Sequence, residues 1–466
     1  MPSNKKGKAK VEAKFVTGSI MRHVIVLAST ASIGLVSIFA VDLVDFYFLS
    51  LLKIQAITAS LAFSAAIMFF NMSFSIGLSI AMSATVAKAL GAKQDMQARY
   101  LALNNLVVSV SFATVISFFT WWFRMDLLQA IGASGQSLDY ADRYLAIILP
   151  SLPLLSIAMS GSGLVRVMGA PKLSMFAMLS GSIVNLILDP ILIFYFDMGI
   201  EGAAWASVAA RVTICASVLY IIYFMHDFSV SFSSQKFRAQ LPIIAAIALP
   251  AMATQLATPI ANAFMTWEMS HYSESYMAGW SFAGRATPVV FGVIFALSGA
   301  IGAIYGQNFG ARKFDRVRRT LTDSIKFVMI YSLVAWVVFY LSIDYILAAF
   351  HIVGDAENFM QFVAIWIGPT FAFYGMLFVA NAAFNNLGYP LISTAFNFGK
   401  ATLGTIPFVM YGSYIMGAKG IYIGNGIGNI LFGVGSLFVC LYVINKLANM
   451  RGGKGPKEGF RARNRK

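Results

Sequence analysis

Twelve long apolar stretches, separated by short polar breaks, limit what this 466-residue chain can fold into more than any other feature. Each is long enough to cross a bilayer as a helix, which takes about 20 residues. We therefore expect an all-α polytopic membrane protein with twelve transmembrane helices. The predicted spans are 22–50, 55–87, 102–124, 141–168, 172–196, 201–225, 241–270, 275–307, 325–350, 358–387, 390–415 and 420–447.

The composition leads to the same class. Apolar residues make up 59% of the chain and charged residues 11%, whereas ordinary soluble proteins have about 45–50% and about 25%. These values exclude a soluble globular enzyme, a disordered chain and a nucleic-acid-binding module. Despite the net charge of +15, we expect no nucleic-acid partner. The expected partners are membrane lipids and small molecules.

Lysine and arginine residues are distributed unequally between the two ends of the predicted spans. With the N-terminus inside, the outer loops carry only Lys53, Arg124, Arg143 and Lys419, while Arg166 and the other loop cations fall inside. Positive charge marks cytoplasmic loops. Both termini are therefore predicted to be cytoplasmic, which requires an even number of spans. We expect the chain to lie in the plasma (inner) membrane of a bacterium or archaeon.

An internal repeat with an offset near 219 residues divides the chain in two. AKALGAKQD at 87–95 corresponds to GQNFGARKFD at 306–315, and RVMGAPKLS at 166–174 corresponds to NNLGYPLIS at 385–393. A third pair of segments follows in the same order. Because each half holds six helices, both halves share one orientation, and a pseudo-two-fold axis along the membrane normal relates them. This is the architecture of a transporter.

The repeat and the charges together predict the domain boundaries. One chain holds both lobes, so a monomer is the expected state. The predicted segments are a basic cytoplasmic tail (1–20), an N-terminal six-helix lobe (21–226), a cytoplasmic linker (227–240), a C-terminal six-helix lobe (241–447) and a second basic cytoplasmic tail (448–466).

Seven charged residues fall inside the predicted spans or near their ends. A charge at the bilayer centre costs on the order of 3 kcal/mol or more, so each marks a candidate functional site. The alternative for each is a buried ion pair that holds helices together, or a side chain that reaches back to the membrane surface. The seven are Asp42, Asp45, Asp189, Glu268, Arg211, Arg285 and Lys400.

The N-terminal half contains the best candidate ion site. Asp45 on the first helix and Asp189 on the fifth lie at similar depths, and Asn185 is one turn from Asp189 on the same face. Pro190 cannot donate a backbone hydrogen bond, so we expect the fifth helix to bend there and expose a carbonyl. Two close carboxyl groups in an apolar site can share and exchange a proton, and their oxygens equally suit Na⁺. For Asp42, a direct role in the ion site and an indirect role, in which it only tunes the carboxyl group of Asp45, are equally favoured.

The other intramembrane charges are weaker candidates. Glu268 lies near the outer end of the seventh helix beside aromatic residues, where an acid at the membrane interface is the simpler interpretation. Pairing across helices is the simpler interpretation of Arg211, Arg285 and Lys400. The positions that correspond to Asp45 and Asp189 in the second half carry no acid, so the two halves are chemically unequal.

Several chemistries find no support in the sequence. The chain has no Walker A loop, no GxSxG and no HExxH motif, so ATP-driven transport and the corresponding hydrolases are not expected. We expect no enzyme activity, no catalytic residue and no cofactor. The expected energy source is a gradient of H⁺ or Na⁺. If the chain binds a metal ion, we expect that ion to be Na⁺ at the aspartate site.

Five short motifs in order resemble the multidrug and toxic compound extrusion (MATE) antiporters over almost the whole chain. The resemblance implies two six-helix lobes and export of cationic, amphipathic compounds in exchange for H⁺ or Na⁺. The motifs are Val44-Asp45, ALGAK at 89–93, MGAPKLS at 168–174, Asn185-x3-Asp189-Pro190 and GAAWAS at 202–207.

The resemblance also implies a cation site of the DinF-type branch. By position its ligands fall on Asp45, Asn185, Asp189 and Ser207, where Ser207 replaces the threonine of that branch and keeps the hydroxyl. The NorM-type branch uses acids of the C-terminal lobe. Glu268 matches the first of these, but 370–380 contains no acid, which favours the N-lobe site.

Two other functions remain open from the sequence. A flippase of lipid-linked precursors shares the two-lobe architecture and would need a cationic groove. Arg211, Arg285 and Lys400 are too dispersed in the sequence to establish such a groove. A membrane-embedded enzyme would need a nucleophile–base pair or a metal cluster, and the four scattered histidines argue against it.

Overall fold

The computed structural model describes residues 12–52, 54–350 and 352–450. The cations of the first 11 residues, Lys53 and the basic tail from 451 onward lie outside this part of the chain. The N-lobe contains α1 (Ile20–Ser50), α2 (Gln55–Gly91), α3 (Asp95–Trp122), α4 (Arg124–Ala130), α5 (Gly135–Ile148), α6 (Leu152–Val167), α7 (Pro171–Pro190) and α8 (Gly199–Tyr220). The C-lobe contains α9 (Ser234–Met269), α10 (Glu274–Val290), α11 (Gly292–Gly310), α12 (Phe314–Ala349), α13 (Asp355–Leu387), α14 (Pro390–Ala401), α15 (Ile406–Met416) and α16 (Ala418–Asn449).

These helices form twelve spans in two lobes of six, as predicted. Ten segments of the described chain are long and apolar enough to cross a membrane unbroken. An eleventh span, α13, bends by 56° near its middle. The twelfth is α14 followed by α15, which a turn at 402–405 separates.

Several helices begin earlier than their apolar stretches. The helix α12 begins at Phe314, whereas the predicted span begins at 325, and α9 begins at Ser234, inside the predicted linker 227–240. Ser233 caps α9 by accepting a hydrogen bond from the backbone N–H of Lys236 at 3.4 Å. Hydropathy locates only the part of a helix that lies in lipid, and polar first turns extend these helices beyond it.

The fifth span changes its hydrogen bonding at Pro190, whereas the predicted bend and exposed carbonyl stay predictions. The α-helical hydrogen bonding of α7 ends there, and the chain continues as a π-helical turn, Ile191–Tyr195. Proline has no N–H to donate, so the wider turn accommodates the missing bond. Two further breaks, at Phe291 between α10 and α11 and at 402–405, were not predicted.

The two lobes pack directly against each other at the end where α2 and α11 terminate. The repeat aligns Gly91 with Gly310, and at both glycines the backbones of α2 and α11 come into close contact. A Cβ on Gly91 would collide with the backbone of Gln307, and a Cβ on Gly310 would collide with the backbone carbonyl of Lys88. The two glycines therefore make equivalent contacts across the pseudo-two-fold axis, at the end that the charges predict to be cytoplasmic.

An N-terminal strap, residues 12–19, ties the lobes together at the same end. Phe15 is buried, its N–H donates to Gln307 Oε1 at 2.9 Å, and its carbonyl accepts from Arg316 at 3.0 Å, both in the C-lobe. On the other side, Lys14 Nζ donates to the carbonyl of Gly169 in the N-lobe at 3.2 Å. The strap thus bridges both lobes over their contact.

We predict that Gly310→Ala lowers the apparent melting temperature of the purified protein, because the added methyl group forces α2 and α11 apart. Overpacking of this kind costs about 1–3 kcal/mol. Gly435→Ala is the matched control, since a Cβ there meets Phe396 at 3.5 Å, which is an ordinary contact. Equal melting temperatures for the two variants would contradict the close inter-lobe contact.

Candidate functional site

Two buried carboxyl groups meet in the N-lobe near the C-terminal ends of α1 and α7. Asp45 lies five residues before the end of α1 and is 9% exposed, and Asp189 lies in the last turn of α7 and is 0% exposed. The carboxyl group of Asp45 is within hydrogen-bonding reach of Asp189. The structure therefore brings together the two aspartates that the sequence singled out.

Asn185 connects this pair to the sixth span. With its amide oriented to satisfy its neighbours, the nitrogen donates to Asp45 Oδ1 at 3.0 Å and the oxygen accepts from the backbone N–H of Ser207 at 3.2 Å. Asn185 is 1% exposed. Three of the four predicted ligands thus form one cluster through their side chains. Ser207 joins it through its backbone N–H rather than through the predicted hydroxyl contact.

Asp189 has an unusual environment for a buried carboxylate. Neither of its oxygens has a hydrogen-bond donor among the described residues. A buried anion without a donor is strongly unfavourable, and a second carboxylate beside it makes the site worse. A proton shared between the two carboxyl groups, or a small cation bound by their oxygens, removes both penalties. The cluster is therefore chemically suited to bind and release one positive charge.

Arg211, another predicted charge of the N-lobe, makes hydrogen bonds to the turn between α5 and α6. Arg211 donates to the carbonyl of Ile148 at 3.1 Å and to Ser151 Oγ at 2.7 Å, which ties α8 to the turn between α5 and α6. These contacts match the cross-helix pairing that the sequence left as the simpler interpretation. Asp42 lies in α1, but its side chain is outside the described part of the structure.

Glu268 belongs to a separate polar group at the C-terminal end of α9. Its Oε1 accepts from Ser413 Oγ at 2.7 Å, and the hydroxyl of Tyr272 lies 2.6 Å from the same Ser413 oxygen. Trp267 beside it is exposed on the surface of the helix bundle. Glu268 thus links α9 to α15 and does not join the aspartate cluster.

A central cavity of about 660 Å³ lies between the two lobes. Its volume falls within the range of about 300–1,000 Å³ that is usual for small-molecule sites. The walls are mostly aromatic and aliphatic side chains and methionines from both lobes, including Phe69 and Met72 of the segment IMFFNMSF (67–74). The N-lobe also contributes Leu35, Phe39, Met159 and Met178, and the C-lobe Met265, Trp280, Phe295, Phe371, Tyr374, Phe378 and Tyr422.

Every charged residue among the described lining residues is a cation. Arg285 and Lys400, which the sequence left dispersed, lie in this one cavity, and Arg166 reaches it from α6. Arg166 was not predicted to lie in a site, because its charge fits a cytoplasmic loop cation equally well. Its position within the apolar run 141–168 was the signal that could have placed it.

The aspartate cluster and the cavity are different places that share two helices, α1 and α7, since Met178 of α7 also lines the cavity. Leu35 and Phe39 of α1 line the cavity, whereas Asp45 lies further along α1 and is not part of the lining. Asp189 and Glu268 are also absent from the described lining. The helices α1 and α7 therefore connect the aspartate cluster to the cavity wall.

Comparison with known proteins agrees with this architecture. The MatE family model matches residues 31–191 and again residues 250–410. The chain belongs to the MatE family. Its second match begins and ends 219 residues after the first, which is the offset of the internal repeat. The members of this family are transporters and not enzymes, so the expected class of protein is confirmed.

Curated relatives and solved structures extend the likeness over most of the chain. A FAD transporter of Shewanella oneidensis is 25% identical over 421 residues, covering 89% of this chain and 92% of the relative. The multidrug export protein MepA of Staphylococcus aureus is 25% identical over 279 residues, covering 58% of this chain and 60% of MepA. A MOP superfamily transporter from Pyrococcus furiosus has the same fold, with a TM-score of 0.88 at 20% identity over 94% of this chain and 99% of that chain.

We predict that Asp189→Asn raises the apparent melting temperature of the protein in Na⁺-free buffer at alkaline pH. The substitution removes a buried charge without a donor, and leaving such a group unsatisfied costs about 1–3 kcal/mol or more. The wild-type protein should gain stability from acid or from Na⁺, because a ligand that binds the folded state stabilises it, and the variant should not respond. Asp95→Asn, an exposed acid in the same lobe, is the control. A variant that melts below wild type under these conditions would contradict the assignment.

Proposed function

We propose that this protein is a secondary-active exporter of small amphipathic molecules, driven by H⁺ or Na⁺ at Asp45 and Asp189. One observation carries the proposal. Asp189 is a fully buried carboxylate without a donor among the described residues, and it adjoins a second carboxyl group outside the central cavity. A site of this kind binds one positive charge without contacting the transported molecule. It is therefore suited to a coupling ion rather than to a substrate.

The proposed cycle uses alternating access, with α1 as a shared element. When the two carboxyl groups bind H⁺ or Na⁺, their repulsion disappears and α1 and α7 can approach. The change bends or shifts α1, whose residues Leu35 and Phe39 line the cavity, and so alters the affinity for the exported molecule. Coupling requires that the ion and the substrate prefer different states, because a ligand shifts an equilibrium only by its differential affinity.

We propose that the structure corresponds to one state of this cycle. The lobes are in contact where Gly91 and Gly310 meet, and the strap at 12–19 covers that contact. Under the proposed topology, with both termini cytoplasmic in the plasma membrane, this is the cytoplasmic side. The cavity is then closed toward the cytoplasm. We propose a monomer as the working unit, because one chain supplies both walls of the cavity.

The coupling ion stays open between H⁺ and Na⁺, since carboxylate and amide oxygens accommodate both. The substrate is also not fixed by family membership. One relative is named a FAD transporter, others are named multidrug export proteins, and the Pyrococcus furiosus structure is described by the reverse polarity of its binding pocket. Export of cationic compounds, which the resemblance implies, stays a prediction. Flavin nucleotides and cationic dyes are both natural test molecules.

A flippase of lipid-linked precursors remains the second candidate function. The observation that favours it is the cationic cavity, in which Arg166, Arg285 and Lys400 could receive an anionic head group. A flippase of this kind would move a fluorescent anionic lipid between the leaflets of a vesicle. The two candidates therefore differ in whether a soluble molecule or a lipid crosses the membrane.

The test is transport into proteoliposomes that contain the pure protein, with pH and Na⁺ gradients imposed separately. A fluorescent cationic dye and FAD serve as reporters. We expect one gradient to drive movement of at least one reporter, and Asp45→Asn and Asp189→Asn each to reduce that movement to background while the protein still folds. Asp95→Asn should transport as wild type does.

Normal transport by both neutralised variants would refute the N-lobe site. If neither gradient moves either reporter while labelled lipid is flipped, the protein is a flippase and the exporter proposal fails.

A further inference from the structure

We infer that the central cavity receives an aromatic anion, a planar ring system that carries a phosphate or carboxylate group. This inference rests on the proposed function, because it takes the cavity as the transport site. It names a substrate class opposite in charge to the compounds that the resemblance implies. The observation behind it is that this cavity combines aromatic walls with cations from both lobes.

The charged residues in the described lining of the cavity are all positive. Arg166 of the N-lobe and Arg285 and Lys400 of the C-lobe line it, and no carboxylate belongs to the described lining. Clefts that carry one sign of charge between walls of low dielectric constant concentrate ligands of the opposite sign. Charged side chains in membrane spans are expensive and mark transport pathways. A cationic substrate would meet repulsion here, whereas an anion would neutralise the site.

Lys400 is the anchor of this site. It is 8% exposed and lies in the last turn of α14, where the turn at 402–405 interrupts the span. Its Nζ donates to Asn425 Oδ1 at 2.9 Å and lies 5.0 Å from the centre of the Tyr374 ring. It takes part in none of the ion pairs found among the described residues. An ammonium group has three donors, so capacity remains for a phosphate or carboxylate oxygen.

The local backbone holds Lys400 in place. The hydroxyl of Thr405 donates to the carbonyl of Lys400 at 2.8 Å, across the break between α14 and α15. The lysine side chain therefore comes from a fixed turn and not from a mobile loop. The partners of its ammonium group, Asn425 and Tyr374, come from two other spans, α16 and α13.

The rest of the lining suits a flat ring. Trp280, Phe295, Tyr374 and Tyr422 present aromatic surface from the C-lobe, and Met159 and Met178 present thioethers from the N-lobe. Aromatic faces stack on planar ligands, and methionine makes favourable sulfur–ring contacts while adapting to different shapes. The ring and the anionic group of one molecule can thus be bound by different parts of the same cavity.

The test compares riboflavin 5′-phosphate with riboflavin, which differs only by lacking the phosphate. Binding to the full-length protein in lipid nanodiscs is followed by flavin fluorescence. We expect the phosphate ester to bind more tightly. Lys400→Met should weaken binding of the ester by about tenfold to a hundredfold, as expected for loss of a hydrogen bond to a charged group, and leave riboflavin binding unchanged.

Three further variants make the result decisive. Lys400→Arg should restore tight binding of the ester, and Arg285→Gln should weaken it if Lys400→Met fails to fold. Lys419→Met is the matched control, because Lys419 lies in the same lobe over the ring of Phe362 and outside the described lining. The inference falls if the two flavins bind equally, if Lys400→Met weakens both alike, or if the protein flips anionic lipid and binds neither flavin.

The outcome is separable from that of the proposed function. Lysine-dependent binding of the ester without ion-driven transport would support the anion site and refute the exporter. Ion-driven export of a cationic dye, with no preference for the phosphate, would support the exporter and refute the anion site.

Discussion

The carboxyl groups of Asp45 and Asp189 meet in the interior of the N-lobe, where Asp189 is fully buried, and the proposed mechanism depends on this contact. Asn185 fixes one of the two, and the other lacks a donor within the described chain. Such a pair is tolerable only when it binds a positive charge, so its occupancy is linked to the free energy of the surrounding helices. The helix that carries Asp45 also forms part of the cavity wall. An ion bound in the N-lobe can therefore act on a molecule bound between the lobes.

The two lobes differ in their charged residues, although they share the internal repeat. Gly91 and Gly310 show that the repeat is preserved in the structure, because each allows the same close contact across the axis. The charges do not follow the repeat. The N-lobe holds the aspartate pair, and the C-lobe contributes two of the three cavity cations. In the proposed mechanism, this separation keeps the coupling ion away from the transported molecule.

Much of the fold could be predicted because lipid limits the choices. Length, hydropathy and the distribution of lysine and arginine were sufficient for twelve spans, and the internal repeat was sufficient for two lobes. Pro190 located a change of helix geometry, since a missing N–H has a local effect. The spacing of Asn185 and Asp189 placed them on one face, and their depth placed them near Asp45. These inferences succeeded because each depends on a short stretch of chain or on the bilayer itself.

The cavity could not be predicted in the same way. Its lining comes from many spans that are distant in sequence, and depth alone does not tell which face of a helix points inward. Arg285 and Lys400 looked dispersed for that reason, and Arg166 was assigned to a loop. The break at 402–405, which positions Lys400, also left no clear signal, because the apolar run continues through it. Ser207 illustrates a finer limit, since its backbone makes the contact that its side chain was expected to make.

The central claim is that an ion at the aspartate pair and a substrate in the cavity compete through α1. The most direct test measures the ion itself, as H⁺ released into weakly buffered solution, or as Na⁺ released, when the purified protein binds a transported substrate. The account predicts stoichiometric release from the wild-type protein and none from Asp45→Asn or Asp189→Asn, although both variants still bind the substrate. Substrate binding without ion release, or undiminished release from the variants, would contradict it.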